Sequence, residues 1–280
     1  MQISSLLILN GPDDAPVEQA CAQRCAAHGI AMTFYRGDAA AHLDAWVKTP
    51  GAYDALIVNS NTDADRAAIV VAAAALKRPI VEAYAANIFR DGAIEPLHTP
   101  NAPIALVSGL GAHGYLLAID ALARKSGADA PARARKKVRV LNGPNLNLLG
   151  QREPEIYGAT TLAQIVDAGV KAGAERGLDV EFLQSNHEGR LVDWIQTAIG
   201  ACDALIINAG AYTHTSIALH DALRAFKGYK IELHISNPHL RETFRHISFL
   251  APAVDAVIAG FGPVGYNLAI QHLPALLEQR

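Results

Sequence analysis

Glu232 and His234 have the types and the spacing of a carboxylate that orients an imidazole ring. They lie in the apolar stretch Tyr229 to Ile235, which predicts a strand, so side chains two positions apart point to the same face. In such a pair the carboxylate could contact the imidazole ring and fix its orientation. A single histidine on a strand is more often structural, so the interpretation depends on the polar side chains nearby.

Three polar residues, Asn208, His214 and Ser216, follow another predicted strand, Ala204 to Asn208, and lead into a predicted helix, Ser216 to Phe226. The free N–H groups at a helix N-terminus suit an anion or a developing oxyanion. Ligands of parallel sheets bind beyond the carboxyl ends of the strands. We therefore expect this group to converge with the carboxylate–imidazole pair.

The segment after His234 supplies further candidates. Ser236 ends the strand, and Arg241 and Arg245 lie four residues apart in Leu240 to His246, which predicts a short helix. Two arginines at this spacing share one helix face. By default they form a solvated surface, and their functional interpretation rests on the convergence with the other candidates.

The stretch Val138 to Tyr157 contains a strand, a turn and a long polar loop. Asn142 to Asn145 is a turn sequence, because Gly accepts positive φ and Pro fixes its own φ. The loop carries Arg152 and Tyr157 and is far longer than the usual connection of about 2 to 6 residues, which is typical of a lid or binding loop. A tyrosine becomes a base only if a nearby cation lowers its pKa from about 10, and the adjacent arginine can supply that charge.

The composition favours a globular protein with a small-molecule ligand. The 280 residues are 51% apolar and 18% charged, enough for two domains of ordinary size. A net charge of −3 gives no support for a nucleic-acid or membrane partner. Because no apolar run reaches the ~18 residues of a membrane span and no secretion signal begins the chain, we expect a cytoplasmic protein. The cysteines, Cys21, Cys25 and Cys202, are interpreted as reduced thiols rather than as a metal or disulfide site.

The sequence contains the same domain twice. The matching parts are Leu7 to Pro12 with Val138 to Pro144, Asp54 to Asn59 with Asp203 to Asn208, Gly109 to Tyr115 with Gly260 to Tyr266, Trp46 with Trp194, and Glu82 with Glu232. The offset between matched positions rises from 132 to 148, so the first copy is shorter by about 16 residues, at the long polar loop. We predict domains at residues 1–124 and 138–280, joined by a linker at residues 125–137.

Strands and helices alternate in each copy, and the strands are continuous apolar runs. This pattern predicts a parallel sheet that is covered on both faces. We expect an α/β protein of two tandem flavodoxin-like domains, each a five-stranded doubly wound parallel sheet with helices on both faces. Thr161 and Gln164 predict a capping box at one helix start, and Gly177 predicts its C-terminal end.

Residues Gly260 to Gly265 fit the glycine pattern of a dinucleotide-binding turn. Too few residues follow for the acidic ribose ligand that should stand about 20 positions on, and the motif follows the last strand rather than the first. Close packing of strand against helix is the better explanation of these glycines.

Residues 137–280 closely resemble the type II 3-dehydroquinate dehydratases. The segments that carry the resemblance are Asn142 to Asn147, Gly150 to Pro154, Tyr157 with Gly158, Asn208 to Ser216, and Glu232 to Asn237. The resemblance implies the dehydration of 3-dehydroquinate to 3-dehydroshikimate through an enolate, with no cofactor and no metal.

The resemblance also implies roles for individual residues. Tyr157 matches the base that removes the proton next to the ketone, with Arg152 lowering its pKa. His234 matches the general acid for the departing hydroxyl and is held by Glu232. Asn145 matches the residue that positions a water at the enolate.

Further matched residues are implied to bind the substrate or to complete the site. Arg241 matches an arginine of the mobile part of the site, and Asp221 matches an aspartate that reaches a neighbouring subunit's site. The partner implied by this match is a further copy of the chain, in a homo-oligomer built on trimers. The matches to substrate-binding groups are Asn208, His214, Ile235, Ser236 and Arg245.

The first copy departs from this pattern at nearly every chemical position. Asp13 stands where Asn145 does, Tyr84 replaces His234, Ser60 to Asp63 replaces the region of His214, and the long loop is absent. Residues 1–132 carry 9 Lys or Arg against 13 Asp or Glu, a net of −4 that disfavours an anionic substrate. We expect a catalytically inactive copy with a structural or regulatory role.

Two alternatives remain open at this stage. In one, the whole protein is a ligand-sensing or scaffolding protein of the same fold, although the intact Glu232, His234, Arg152 and Tyr157 argue against it. In the other, the first copy binds a pathway metabolite and tunes the second.

Overall fold

The structure is a computed structural model of the chain. It describes residues 3–9, 11, 14–48, 52–59, 63–76, 78–91, 97, 104–123, 136–151 and 159–278. Two predicted site residues, Arg152 and Tyr157, and residues 125–135 of the predicted linker lie outside the described residues. We refer to residues 3–123 as the N-terminal half and to residues 136–278 as the C-terminal half.

Five strands and five helices are described in the N-terminal half. The strands are β1 (Ser5–Leu9), β2 (Ala31–Tyr35), β3 (Ala55–Val58), β4 (Ile80–Tyr84) and β5 (Ile104–Ser108). The helices are α1 (Ala15–Ala27), α2 (Ala39–Lys48), α3 (Asp63–Leu76), α4 (Ile88–Asp91) and α5 (His113–Ala123).

The C-terminal half repeats this alternation of strands and helices. Its strands are β6 (Lys136–Asn142), β7 (Leu178–Gln184), β8 (Ala204–Asn208), β9 (Tyr229–His234) and β10 (Ala256–Ala259). Its helices are α6 (Leu162–Glu175), α7 (Glu188–Ala198), α8 (Ile217–Ala225) and α9 (Val264–Glu278). Among the helices described, none combines the length and the apolar character needed to cross a bilayer.

All ten strands form one sheet, in the order β2-β1-β3-β4-β5-β10-β9-β8-β6-β7. Within each half the neighbouring strands are parallel, as predicted, and the strand order of one half is repeated in the other. The halves join through β5 and β10, which pair antiparallel with Ile258 opposite Val107. The sequence pattern predicted a sheet in each half but not this connection.

Helices cover both faces of the sheet, because alternate strand residues point to opposite sides. One face carries α1, α5, α6 and α9 over a single apolar core that runs through both halves. On the other face α2 and α3 cover one core, and α7 and α8 cover another. The α/β class with helices on both faces is therefore confirmed.

A buried carboxylate joins the helices of the two halves on the shared face. Asp120 of α5 accepts hydrogen bonds from His28 Nε2 (2.8 Å) and Arg24 Nη1 (3.2 Å) of its own half and from His272 Nε2 (3.3 Å) of α9. Burial raises the pKa of Asp120, but the two histidines and the arginine outweigh it and hold the pKa below its usual value. The charge is thus stabilised by donors from both halves.

Local sequence signals are confirmed at several element ends. Thr161 and Gln164 form the predicted capping box, and Gly177 has φ +69 just after the end of α6. The first two cysteines are buried free thiols, and burial raises the pKa of Cys21 to about 11 and of Cys25 to about 12.

The close-packing explanation of residues Gly260 to Gly265 is wrong at Gly262 and is not supported at Gly265. Gly262 has φ +64 with open space around the position of a Cβ, so its backbone conformation is what requires glycine. Gly265 would place a Cβ at an ordinary 3.6 Å from Phe261.

The junction of the halves can be tested at Gly109, which follows β5. It has φ +87, and a Cβ there would lie 2.1 Å from the carbonyl oxygen of Asp255 in the other half. Gly111 has φ +55 but open space around its Cβ position, so it is a matched control. We expect both alanine variants to pay the left-handed cost of about 1–2 kcal/mol. Gly109→Ala should lose about 2 kcal/mol more in urea unfolding because of the clash, and equal losses would contradict this.

Candidate functional site

A cavity of about 130 Å³ lies at the carboxyl ends of β6, β8 and β9. This is the edge of the sheet at which the strand order places ligand sites in doubly wound proteins. The residues that line it are Pro144, Asn145, Leu146, Leu148, Leu149, Asn208, Gly210, Ala211, His214, His234, Ile235, Ser236, Pro238, Arg241 and Arg245.

The predicted carboxylate–imidazole pair is formed. His234 Nε2 donates to Glu232 Oε1 at 2.9 Å, and the Glu232 side chain is fully buried while His234 opens onto the cavity. Ser248 Oγ donates to both carboxylate oxygens (2.9 and 3.0 Å), and Thr213 Oγ1 donates to Oε1. Burial raises the pKa of Glu232, but the nearby His234 and these hydrogen bonds outweigh it and lower the pKa below 4.5. A fixed negative charge therefore stands behind the ring and orients it.

His214 has one nitrogen fixed by the backbone. Its Nδ1 donates to the carbonyl oxygen of Ile247 at 2.7 Å. Burial lowers the pKa of His214 despite that bond, so the ring is neutral near pH 7. A neutral imidazole with a protonated Nδ1 has an acceptor at Nε2, which suits a substrate hydroxyl.

A buried network positions Asn208 at the floor of the cavity. Its Nδ2 donates to the hydroxyl of Tyr266 (2.9 Å), and that hydroxyl donates to Asn142 Oδ1 (2.6 Å). Burial raises the pKa of Tyr266 far above 10, which keeps the hydroxyl protonated as this chain of bonds requires. The two asparagines end adjacent parallel strands and pair in register.

The turn after β6 places Asn145 at the mouth of the cavity. Asn145 has φ +66, and its backbone N–H donates to Asn186 Oδ1 at 3.0 Å. Gly143 is required because a Cβ there would lie 2.2 Å from the carbonyl oxygen of Ala209. The sequence predicted a turn here, and the close approach of the segment after β8 explains its glycine.

Arg241 and Arg245 both line the cavity, but the predicted helix that should carry them is wrong. Two short 3₁₀ turns, Pro238–Leu240 and Thr243–Arg245, replace it, and Arg241 between them is extended. His246 Nε2 donates to the carbonyl oxygen of Arg241 (3.0 Å), which an α-helix would offer to the N–H of Arg245. Glu242 pairs with both guanidiniums, at 2.8 Å from Arg245 Nε and 3.5 Å from Arg241 Nε.

Most of the predicted site residues come together. Glu232 lies behind His234, and Asp221 is exposed on α8 without lining the cavity. Sequence reasoning missed the roles of Thr213 and Ser248; the first lies inside a quoted motif, but no sequence signal marks the second. The predicted residues that line the cavity are Asn145, Asn208, His214, His234, Ile235, Ser236, Arg241 and Arg245.

The N-terminal half has a buried carboxylate at the matching place, but its surroundings differ. Glu82 accepts a hydrogen bond from the hydroxyl of Tyr84, another from the N–H of Leu97 (3.0 Å), and lies 4.0 Å from Arg66 Nη1. Tyr84 replaces His234 and is buried, whereas His234 opens onto a cavity. The ring at this position therefore fills space and holds the carboxylate.

Comparison with known proteins agrees with the duplication. A family model described as dehydroquinase class II matches residues 6–123 and again residues 136–274. The chain belongs to the class II dehydroquinase family. Both halves are therefore class II dehydroquinase domains by descent, including the half that lacks the histidine.

The curated relatives are proteins about half as long as this chain. A 3-dehydroquinate dehydratase of Mesorhizobium japonicum is 57% identical over 143 residues, which are 51% of this chain and 99% of the relative. A 3-dehydroquinate dehydratase 2 of Pseudomonas putida is 50% identical over 143 residues, or 51% of this chain and 96% of the relative. The crystal structure of a type II dehydroquinase from Butyrivibrio crossotus is 44% identical, with a TM-score of 0.50, and covers 51% of this chain and 99% of its own.

Removing Ser248 tests the electrostatics of the pair. Ser248→Ala should lower the free energy of unfolding by about 1.5–3 kcal/mol near pH 7, because a buried charge loses the hydrogen bond that its two oxygens share. The pKa of Glu232 is depressed in the folded state, so this contribution exists above 4.5 and disappears as the pH falls through the lower folded value. Urea unfolding at about pH 7 and about pH 3.5 measures the change.

Thr197→Ala is the control, because that exposed hydroxyl accepts from Arg139 Nη1 (2.9 Å) and donates to the carbonyl oxygen of Trp194 (3.2 Å) but contacts no carboxylate. It should change stability by less than about 0.5 kcal/mol at both pH values. A loss near pH 7 that is no larger in Ser248→Ala than in Thr197→Ala would contradict a bond from Ser248 to a charged Glu232.

Proposed function

We propose that residues 138–280 form a catalytic domain that dehydrates 3-dehydroquinate to 3-dehydroshikimate. The observation that carries the proposal is the His234 ring, held by the buried Glu232 carboxylate and opening onto a cavity with two arginines. The family supports it, since the curated relatives are named 3-dehydroquinate dehydratases. The N-terminal half keeps a buried carboxylate without a histidine, so the fold does not require the ring, and a ligand-sensing or scaffolding role would not require one held at a cavity.

The reaction removes one proton and one hydroxide as water. Tyr157, with Arg152 lowering its pKa, takes the proton next to the ketone, and the electron pair moves onto the carbonyl oxygen as an enolate. A water held by Asn145 donates a hydrogen bond to that oxygen. The enolate then re-forms the ketone and expels the hydroxyl, which takes a proton from His234 as it leaves.

The charged and the neutral polar groups at the cavity both suit the substrate. Arg245 and Arg241 bring two positive charges to the cavity against the one negative charge of Glu242, which favours a carboxylate ligand. The acceptor of His214, the amide of Asn208 and the backbone at Ile235 and Ser236 bind the carboxylate and hydroxyls. The proposed chemistry needs no cofactor.

We assign the domain at residues 1–124, which contains the N-terminal half, a structural role without catalysis. Residues 125–137 form the linker between the two domains. Tyr84 fills the position of the general acid and donates to Glu82, so within the described residues no imidazole stands there. The strand order of each half is that of flavodoxin-like sheets, and we place both domains in that class. We also propose a cytoplasmic location.

An assembly built on trimers of the chain accounts for an apolar surface beside the cavity. Ile217, Phe244 and Ile247 are 61%, 65% and 65% exposed, and the carbonyl oxygen of Ile247 accepts the bond from His214. Asp221 lies one helical turn after Ile217 on the exposed side of α8. A neighbouring subunit on this surface brings its Asp221 to the cavity and removes the apolar side chains from water.

Activity is tested by the absorbance of the enone carboxylate that forms from 3-dehydroquinate. We expect turnover by the purified full chain and a loss of about 10²–10⁴-fold in kcat for His234→Gln, since it removes the acid. Tyr157→Phe should abolish turnover because no base remains. Tyr84 stands at the place of His234 in the other half. Tyr84→Phe should leave kcat within about twofold of the wild type. A folded but inactive wild-type chain would contradict the proposal.

The assembly is tested by charge insertion on the apolar surface. Ile247→Glu should reduce the particle measured by sedimentation to a smaller species and lower kcat/KM, because a buried unpaired charge opposes association. Val71→Glu is the matched control, since Val71 is also 65% exposed but lies on α3 of the other half. A wild-type chain that sediments as a monomer would rule the assembly out.

A further inference from the structure

A short segment of the N-terminal half is hydrogen-bonded to the catalytic half. We call residues 87–90 the bridging segment. Asn87 is buried, and its Nδ2 donates to the carbonyl oxygens of Ala251 (3.0 Å) and Val254 (2.9 Å). Its Oδ1 accepts from the N–H of Phe89 at 3.1 Å. The amide of Asn87 therefore uses both donor hydrogens to hold a turn that belongs to the other half.

That turn is bonded to the carboxylate behind the general acid. Ser248 Oγ accepts from the N–H groups of Leu250 (3.1 Å) and Ala251 (2.9 Å), so its own hydrogen is left for Glu232. Glu232 in turn accepts from His234 Nε2 at 2.9 Å. A continuous chain of hydrogen bonds thus connects Asn87 to His234, and every group in it is buried or half-buried.

A second contact reaches the substrate-binding segment. The ring of Phe89 lies parallel to the ring of His239, with centroids 5.7 Å apart and an interplanar angle of 9°. His239 is buried between Pro238 and Arg241, and both of these line the substrate cavity. Phe89 and His234 also line the same small cavity behind the site.

The bridging segment is the counterpart of the substrate-binding segment in the repeat. Counting from the matched Glu82 and Glu232, Asn87 corresponds to Asn237, and Phe89 to His239. Both asparagines make the same turn, since Asn237 Oδ1 accepts from the N–H of His239 at 3.0 Å. The two stacked rings are thus equivalent positions that meet at the pseudo-twofold interface of the halves.

We propose that Asn87 and Phe89 are positioning residues for the catalytic site of the other half. Asn87 fixes the turn that aims Ser248 at Glu232, and Phe89 fixes the segment that carries Arg241. This inference rests on the proposed dehydratase function of the C-terminal half. It explains why a half without a general acid is retained beside the site.

The experiment uses the full chain and compares Asn87→Ala with Asn59→Ala. Asn59 has the same side chain and lies in the same half, but its amide donates to the hydroxyl of Tyr115 within that half, at 3.3 Å. We expect Asn87→Ala to lower kcat about tenfold or more with little change in KM, because the acid is misplaced while the binding groups remain.

Hydrogen exchange gives a measurement that does not depend on turnover. In Asn87→Ala the amides of Leu250 and Ala251 should exchange faster than in the wild type, whereas Asn59→Ala should leave them unchanged. Phe89→Leu should raise KM because the stacked ring is lost. Phe89→Tyr keeps the ring and should have the KM of the wild type.

Three outcomes would overturn the inference. These are a folded Asn87→Ala chain with wild-type kcat and exchange, equal effects of Asn59→Ala, and equal KM values for the two Phe89 variants. An inactive wild type would contradict the proposed function instead, and the exchange of the two amides would still decide whether Asn87 holds the turn.

Discussion

The buried carboxylate of β9 is the group on which the catalytic half depends. A charge without access to water costs several kcal/mol unless hydrogen-bond donors surround it. Glu232 therefore requires donors from three places along the chain: Thr213 after β8, His234 at the end of its own strand, and Ser248 in the following loop. The segments that supply these donors also line or support the cavity, so satisfying one charge brings the site together.

The N-terminal half satisfies the same constraint by other means. Glu82 keeps the carboxylate, while a tyrosine hydroxyl, a backbone N–H and a nearby guanidinium replace the donors of the other copy. The asparagine that ends the neighbouring strand is also kept, with Asn59 bonded to Tyr115 as Asn208 is bonded to Tyr266. What both copies retain is a requirement of the fold, and what only one retains is a requirement of the reaction.

Local patterns in the sequence were sufficient for the elements and for most of the site. Apolar runs predict strands because a doubly covered sheet buries both faces, and Thr161 with Gln164 marks a helix start by chemistry that needs no tertiary context. The helix expected around Arg241 is absent because His246 takes the carbonyl that helical bonding would use. Ser248 could not be found, since its role arises only when the loop folds back on Glu232. The pairing of β5 with β10 was also beyond local patterns, because edge and internal strands have the same composition.

Antiparallel pairing of β5 and β10 covers an edge that each half would otherwise leave open. Each five-stranded half, taken alone, would end in an unpaired edge strand beside an exposed apolar helix face, which invites association with other chains. Joining the two edges satisfies the backbone groups of both strands and lets α5 and α9 share one core. The interface is nearly symmetric in backbone but not in side chains, because Asp120 of α5 takes donors from both halves. A copy that is permanently attached need not catalyse the reaction. Its residues at the interface can therefore change in ways that hold the active copy in place.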